Sequence, residues 1–396
     1  MSLKILVVAP QPFFIQRGTP IAVRMLLQSL GEAGHRCDAI VFPEGEDVDL
    51  PNVQVIRAPR VPGTKGMPPG FSLKKLLVDA AMFPMLAWRL LRHRYDLVIA
   101  VEEAAFMTLV LKPFFRVPYI YDIDSSIPEQ INDKFGLPSW LNTALTAAER
   151  TAVRGSIGAI PCCQALGDIV RDYAPTLPVQ TLEDVSLVEF DAETAPPEGW
   201  SYESPVLMYI GNLEGYQGVG LLIEGFAKAV ADGTEAHLVV IGGTPDTIET
   251  HRALADRTGA GDKITFTGPR PVEEIARYMA QATIVASPRT QGRNTPMKVY
   301  SYLDSGRPLL ATRLPTHTQV LDDDIAMLVD PTAEDMARGI SALLADPDLR
   351  DRLARQAAER VRAEFSPAAY RRKLTGFLEN EIIPRLRRRA SAAGAT

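Results

Sequence analysis

Cysteine is scarce in this sequence: three occur in 396 residues. Cys37, Cys162 and Cys163 are odd in number, and the adjacent pair has no histidine at metal-ligand spacing. A disulfide framework and a structural zinc site are therefore not expected, and a reducing compartment is. Long apolar runs are missing too. The opening "MSLKILVVAPQPFF" has only about five consecutive apolar residues before Pro10, too few for a signal-peptide core or a membrane span, and reads as a buried first strand. The apolar-rich "LVDAAMFPMLAWRLLRHRYD" is interrupted by Asp79, Pro84 and Arg89, so it is not expected to cross a bilayer. Neither half carries a G-x-G-x-x-G fingerprint with an acid downstream, which argues against a nicotinamide dehydrogenase. With a net charge of −6, the chain has no general positive surplus for a nucleic-acid partner.

What is present suits a soluble globular protein, with 46% hydrophobic and 23% charged residues. The length exceeds what one core supports, so two domains are expected. Short β-branched runs alternate with helical patterns: "KILVVAP", "CDAIVF", "VQVIRAP", "DLVIAVE", "PYIYDID" and "GAIPCC" in the first half, then "PVLMYIGN", "AHLVVIGG", "KITFTGP", "ATIVASP" and "PLLATRL". This βα order predicts two open, mostly parallel sheets covered by helices. Periodicity lapses from Val188 to Ser204, where prolines and acids accumulate. The expected domains are thus 1–187 and 205–366, joined by a linker at 188–204. A final helix at 367–396 starts at Ser366-Pro367 and turns basic in "RLRRR" before frayed small residues.

Ligands on such sheets bind beyond the carboxyl ends of strands, so residues just after each strand carry the information. Gly18, Thr19 and Pro20 precede a helix whose amides can face an anion, with Gly34 as its stop. Glu102 and Glu103 follow one strand and Asp122 and Asp124 another; the aspartate segment suits either a helix cap, with Ser125 and Ser126, or an active site. Gly211, Asn212, Gly218 and Gly220, then Gly242 and Gly243, let backbone approach a phosphate or sugar closely.

The strongest signal is "RTQGRNTPMKVYSYLDSGRP", Arg289 to Pro308. Arg289 and Arg293 lie in a loop, Asn294 and Thr295 are expected to cap the next helix, and Pro296 fits its first turn. Lys298 sets a positive charge there, which opposes the helix dipole unless an anion offsets it. Thr316, His317 and Thr318 are expected on the same cleft side.

The order of "GTPIAVRMLLQSLGEAGH", "YIGNLEGYQG", "VVIGG" and "NTPMKVYSYLDSGRPLLAT" resembles glycosyltransferase family 4, over nearly the whole chain. Its most specific part is P-x-K-x-x-x-Y-x-x-x-G-x-P, met by Pro296, Lys298, Tyr302, Gly306 and Pro308. The resemblance implies the α/β GT-B fold, two facing Rossmann-like domains, with a UDP- or GDP-linked sugar held by the second and the acceptor by the first. It also implies retention of configuration, no metal and no further cofactor. The last helix would complete the first domain. Five polar positions depart from the family: Ser301 and Arg293 stand where glutamates are usual, Asn212 and Gln217 where an arginine and a lysine grip the diphosphate, and Asp124 where a histidine is common. Because glycines, prolines and caps persist in these loops, the expectation is a divergent active branch, in which Arg289, Arg293 and Lys298 supply the displaced charge.

The expected function is transfer of a hexose to a hydroxyl of a glycan or lipid-linked acceptor. Arg289, Arg293, Asn294, Thr295 and Lys298 would hold the diphosphate, with Gly211, Asn212, Gln217 and Gly243 around the donor and Ser301 near the ribose. Gly18, Glu103 and Asp124 would line the acceptor side, Asp124 orienting or deprotonating the hydroxyl. The alternatives are a non-catalytic nucleotide-sugar-binding subunit and a sugar-nucleotide epimerase. The segment Arg57 to Arg94 combines Arg57, Arg60, Lys65, Lys74, Lys75, Arg89, Arg92 and Arg94 with Phe71, Leu76, Leu77, Met82, Phe83 and Trp88. It suits either a core helix with a basic edge or a peripheral contact with an anionic membrane, on the cytoplasmic face.

Overall fold

The computed structural model describes residues 2–15, 18–64, 72–186, 188, 190 and 195–393; Lys65, Phe71 and residues 394–396 lie outside them. Two compact units divide the chain, residues 1–183 with 367–396, and residues 184–366.

In the first unit the elements follow as β1 (Lys4–Ala9), α1 (Gly18–Glu32), β2 (Arg36–Val41), β3 (Val53–Arg57), α2 (Leu73–Arg92), β4 (Leu97–Val101), α3 (Ala104–Phe115), β5 (Tyr119–Ile123), α4 (Ile127–Phe135), α5 (Ser139–Gly155), β6 (Gly158–Pro161) and α6 (Gln164–Tyr173). The six strands form one sheet in the order β3-β2-β1-β4-β5-β6, parallel in every pair. All five residues of β4 are buried, as expected of a strand covered on both faces. Each such Leu, Ile or Val contributes about 1.5–3 kcal/mol by leaving water.

The second unit repeats the plan with β7 (Val206–Ile210), α7 (Val219–Ala231), β8 (His237–Ile241), α8 (Pro245–Arg257), β9 (Ile264–Gly268), α9 (Val272–Met279), β10 (Ile284–Ser287), α10 (Lys298–Asp304), β11 (Leu309–Thr312), α11 (Pro315–Thr318), β12 (Met327–Val329), α12 (Ala333–Ala345) and α13 (Pro347–Glu364). Its sheet runs β12-β11-β10-β7-β8-β9. Strand β12 was not expected, because three residues are too few to leave a periodic signal. Residues 195–204 belong to this unit: Trp200 and Tyr202 pack against its core, and Arg277 donates to the carbonyls of Ala195 and Pro196.

Helices α14 (Pro367–Phe377) and α15 (Ile383–Ala393) return to the first unit. Arg371 pairs with Glu32 of α1 at 2.7 Å, and Phe377 and Ile382 crowd Gly158, where a side chain would clash. Pro84 does not interrupt α2, which runs through it for 20 residues. Among the described residues no helix is long and apolar enough to cross a membrane.

Candidate functional site

In each sheet the strand order reverses between two neighbours, β1 and β4 in the first unit and β7 and β10 in the second. Loops that leave such a pair diverge to opposite faces and open a crevice beyond the carboxyl ends. In the second unit, Gly211 and Asn212 follow β7, and Arg289 to Met297 follow β10.

Backbone packing draws these loops together. A Cβ on Gly218 would lie 1.9 Å from the Pro288 carbonyl oxygen, and one on Gly242 would lie 2.1 Å from that of Gly211. Both positions have positive φ, so only glycine permits the approach without strain. Thr290 donates its amide to the Tyr216 carbonyl at 2.9 Å, tying the β10 loop to the turn that holds Gln217.

Two cations sit inside this arrangement. The Lys298 ammonium is buried, has no hydrogen-bond partner among the described residues, and lies 3.9 Å from the Tyr209 ring centroid. A Cβ on Gly211 would come within 3.0 Å of that nitrogen. Arg289 stacks its guanidinium 5.2 Å from the Tyr216 ring and donates one Nη1 bond to the Asn294 carbonyl at 2.8 Å, while its Nε is buried and unpartnered. Burial pushes the Lys298 pKa well down, and the neighbouring Arg289 charge pushes it further; burial also lowers that of Arg289. Neither forms an ion pair among the described residues. Two buried like charges with no carboxylate beside them are costly unless an anion arrives. The buried Gln217 Oε1 and Thr295 Oγ1 are also unpartnered.

The expected helix caps are not there. Helix α10 starts at Lys298, its cap position is Met297, and no side chain caps it. Instead the Asn294 carbonyl accepts from Arg289 and from the Thr316 hydroxyl at 2.7 Å, and the Arg293 carbonyl accepts from Gln319 at 2.7 Å. The loop is thus braced through its backbone. Arg293 and Asn212 are exposed, Gly243 packs on Leu213, and Ser301 is buried within α10.

His317, expected at the cleft, is fully buried. Its Nδ1 donates to the Thr312 carbonyl at 2.9 Å, so Nε2 accepts from Ser287 at 2.9 Å, and burial depresses its pKa to about 4. As a neutral strut it fixes the end of β10. Among the described residues no cluster of three His, Cys, Asp or Glu is arranged to hold a metal ion.

In the first unit, Gly18 opens α1 with open space where a Cβ would stand, and Asp124 follows β5, half-buried. Helix α4 begins after Ser126, but Glu149 of α5 takes its first amide: Oε1 accepts from Ile127 N–H and Oε2 from Ser126 Oγ, each at 3.1 Å. Glu103 is held by Lys75, which contacts both its oxygens at 2.8 Å and reaches Glu102 at 3.5 Å. Glu102 in turn accepts from Ser125 at 2.8 Å. Burial and the Glu102 charge raise the Glu103 pKa against the pull of Lys75. Beside them Asp79 is buried with both oxygens unpartnered, and burial raises its pKa to about 8.

Lys75 therefore does not belong to an outward basic face, as the sequence suggested. Nor do Arg57, bonded to the carbonyls of Phe13, Glu44 and Glu46, or Arg89, paired with Asp38 at 3.4 Å. Met82 is core and Phe83 packs against it. Lys74, Leu76, Leu77, Trp88, Leu91 and Arg92 remain exposed on α2. The sequence reading missed the Lys75 pairing with the β4 end and the buried Asp79 beside it; their four-residue spacing on one helix face was the available signal.

Residues 204–346, which hold the Lys298 and Arg289 site, match the family model of glycosyl transferases group 1. The match covers most of the second unit and none of the first. Over 294 residues the chain is 25% identical to an alpha-D-kanosaminyltransferase from Streptomyces kanamyceticus, covering 69% of this chain and 73% of that one. Among solved structures, sucrose-phosphate synthase from Thermosynechococcus elongatus superposes with a TM-score of 0.73 at 18% identity, covering 96% and 98% of the two chains. The Anabaena protein HepE in complex with UDP-glucose gives 0.69 at 17% identity, covering 96% and 100%. These likenesses show the fold, GT-B, built of two Rossmann-like units with parallel six-stranded sheets.

Proposed function

We propose that this glycosyltransferase moves a hexose from a UDP- or GDP-linked sugar to a hydroxyl of a glycan or lipid-linked acceptor, with retention of configuration, as a divergent member of family 4. The observation that carries the reading is the pair of buried cations, Lys298 and Arg289, at the switch point of the second sheet without a carboxylate counter-charge. A leaving diphosphate offsets both. In a water-poor site such preorganised charge stabilises the developing negative charge without reorganisation. Arg293, Asn294 and Thr295 complete the diphosphate loop, Gly211, Asn212, Gln217 and Gly243 surround the donor, and Ser301 lies toward the ribose. The Anabaena neighbour with UDP-glucose and the family 4 resemblance support this donor class.

The first unit takes the acceptor, beside Gly18. Asp124 orients or deprotonates the acceptor hydroxyl. Glu103, engaged by Lys75 and next to the Glu102 that accepts from Ser125, acts as a positioning residue at the β4 end. The exposed basic and apolar residues of α2 provide a peripheral contact with the cytoplasmic face of an anionic membrane. The reaction uses no cofactor beyond the nucleotide sugar.

A panel of UDP- and GDP-hexoses, incubated with the protein and with lipid or glycan acceptors, tests this. Acceptor-dependent release of nucleoside diphosphate, with the product keeping the donor anomeric configuration, is the expected result. Donor binding without turnover, or a change of donor configuration with no acceptor present, would overturn it.

A further inference from the structure

Four arginines converge on a cleft in the first unit. Arg154 comes from the last turn of α5, and Arg385, Arg388 and Arg389 come from α15. Ser156 and Ile157, just before β6, and the segment from Tyr173 to Pro178 complete the lining of an open cleft of about 590 Å³. Since these residues precede β6, the cleft lies at the amino end of that strand, opposite the carboxyl end where Asp124 follows β5. It is therefore separate from the acceptor residues.

Among the described residues no carboxylate lines the cleft. Among the described residues Arg385 has a buried Nε with no hydrogen-bond partner, and its ion pair with Glu381 is long at 3.6 Å. Arg154 donates its Nε to the Tyr173 carbonyl at 2.9 Å, which fixes the guanidinium against the wall. The Arg389 charge also reaches Lys112, whose pKa is lowered mainly by burial and further by that arginine. In a chain of net charge −6, four arginines around one cleft whose described lining holds no acid is a concentration that a solvated helix end does not need.

We propose that this cleft binds a phosphate group, carried by a phosphorylated small molecule or by a phospholipid headgroup. Planar guanidinium forks match phosphate oxygens in pairs, and several together favour a dianion over a carboxylate. The volume admits a group larger than phosphate itself.

The test uses full-length Lys298→Ala protein, so that the donor site is silent and its failure does not mimic failure here. Inorganic pyrophosphate is titrated calorimetrically into this protein and into the same protein carrying Arg388→Gln and Arg389→Gln, two exposed positions whose change leaves the core intact. Saturable binding that weakens at least about tenfold in the glutamine variant is expected, as two charge-assisted contacts are lost. In parallel, vesicles of phosphatidylcholine with and without phosphatidic acid are sedimented with both proteins. Retention only on phosphatidic-acid vesicles, lost in the variant, assigns a lipid headgroup; pyrophosphate binding without such retention assigns a soluble phosphate ester. Absence of both, or binding unchanged by the two substitutions, overturns the proposal.

Discussion

Replacing Lys298 with methionine should stabilise the ligand-free protein while weakening its hold on a nucleoside diphosphate. Methionine fills a similar volume over the Tyr209 ring and removes a buried charge that has no hydrogen-bond partner among the described residues. Desolvating an ion costs several kcal/mol, of which a desolvated cation–π contact returns about 2. A net gain of about 1–3 kcal/mol follows, which is roughly 2–4 °C of melting temperature per kcal/mol for a unit of this size. Because burial depresses the Lys298 pKa, the unfolded chain keeps a proton that the folded one has released at alkaline pH. Wild-type stability should therefore gain on the variant as pH rises toward the ordinary lysine value. Binding moves the other way: one charge-assisted contact, about 1.5–3 kcal/mol, weakens affinity by roughly 10- to 150-fold. Thermal melts with and without UDP or GDP read both effects. A variant that melts lower without ligand and binds nucleotide as well as wild type would make Lys298 a structural cation satisfied by Tyr209.

Asp124→Asn should leave donor affinity unchanged and lower transfer by about a hundredfold, and undiminished turnover would remove Asp124 from the chemistry. Lys75→Met leaves Glu102 and Glu103 without their cation and should cost about 3–5 kcal/mol in urea unfolding; a loss below about 1 kcal/mol would contradict the pairing. The folded Asp79 holds a proton that the unfolded chain loses above the ordinary aspartate value of 3.8, up to about 8, while Lys75, Glu102 and Glu103 face it. Stability relative to Asp79→Asn should therefore fall as pH rises through that interval. A pH-independent difference would show that Asp79 is ionised in the folded state.

Much of the fold was readable because buried parallel strands are continuous apolar runs; eleven such runs became strands, and only the three-residue β12 escaped. The strand-end glycines of the second unit stood out for a related reason, but Gly218, expected to admit a phosphate or sugar, is required by the approach of the Pro288 carbonyl. Side-chain partners over long separations were not. The tyrosines under Lys298 and Arg289, the Lys75 bridge to Glu102 and Glu103, and the burial of His317 depend on which helix face meets which strand end. Asn294 and Thr295 misled because good capping residues were read as caps, whereas the loop is held by carbonyls that Arg289, Thr316 and Gln319 engage.

The central claim is that the second unit holds a diphosphate between Lys298 and Arg289. Calorimetric titration of UDP and GDP beside uridine and guanosine tests it most directly. The account predicts that one diphosphate binds at least about a hundredfold tighter than its nucleoside, since two charge-assisted contacts are at stake. Equal affinities, or no binding by either diphosphate, would contradict it.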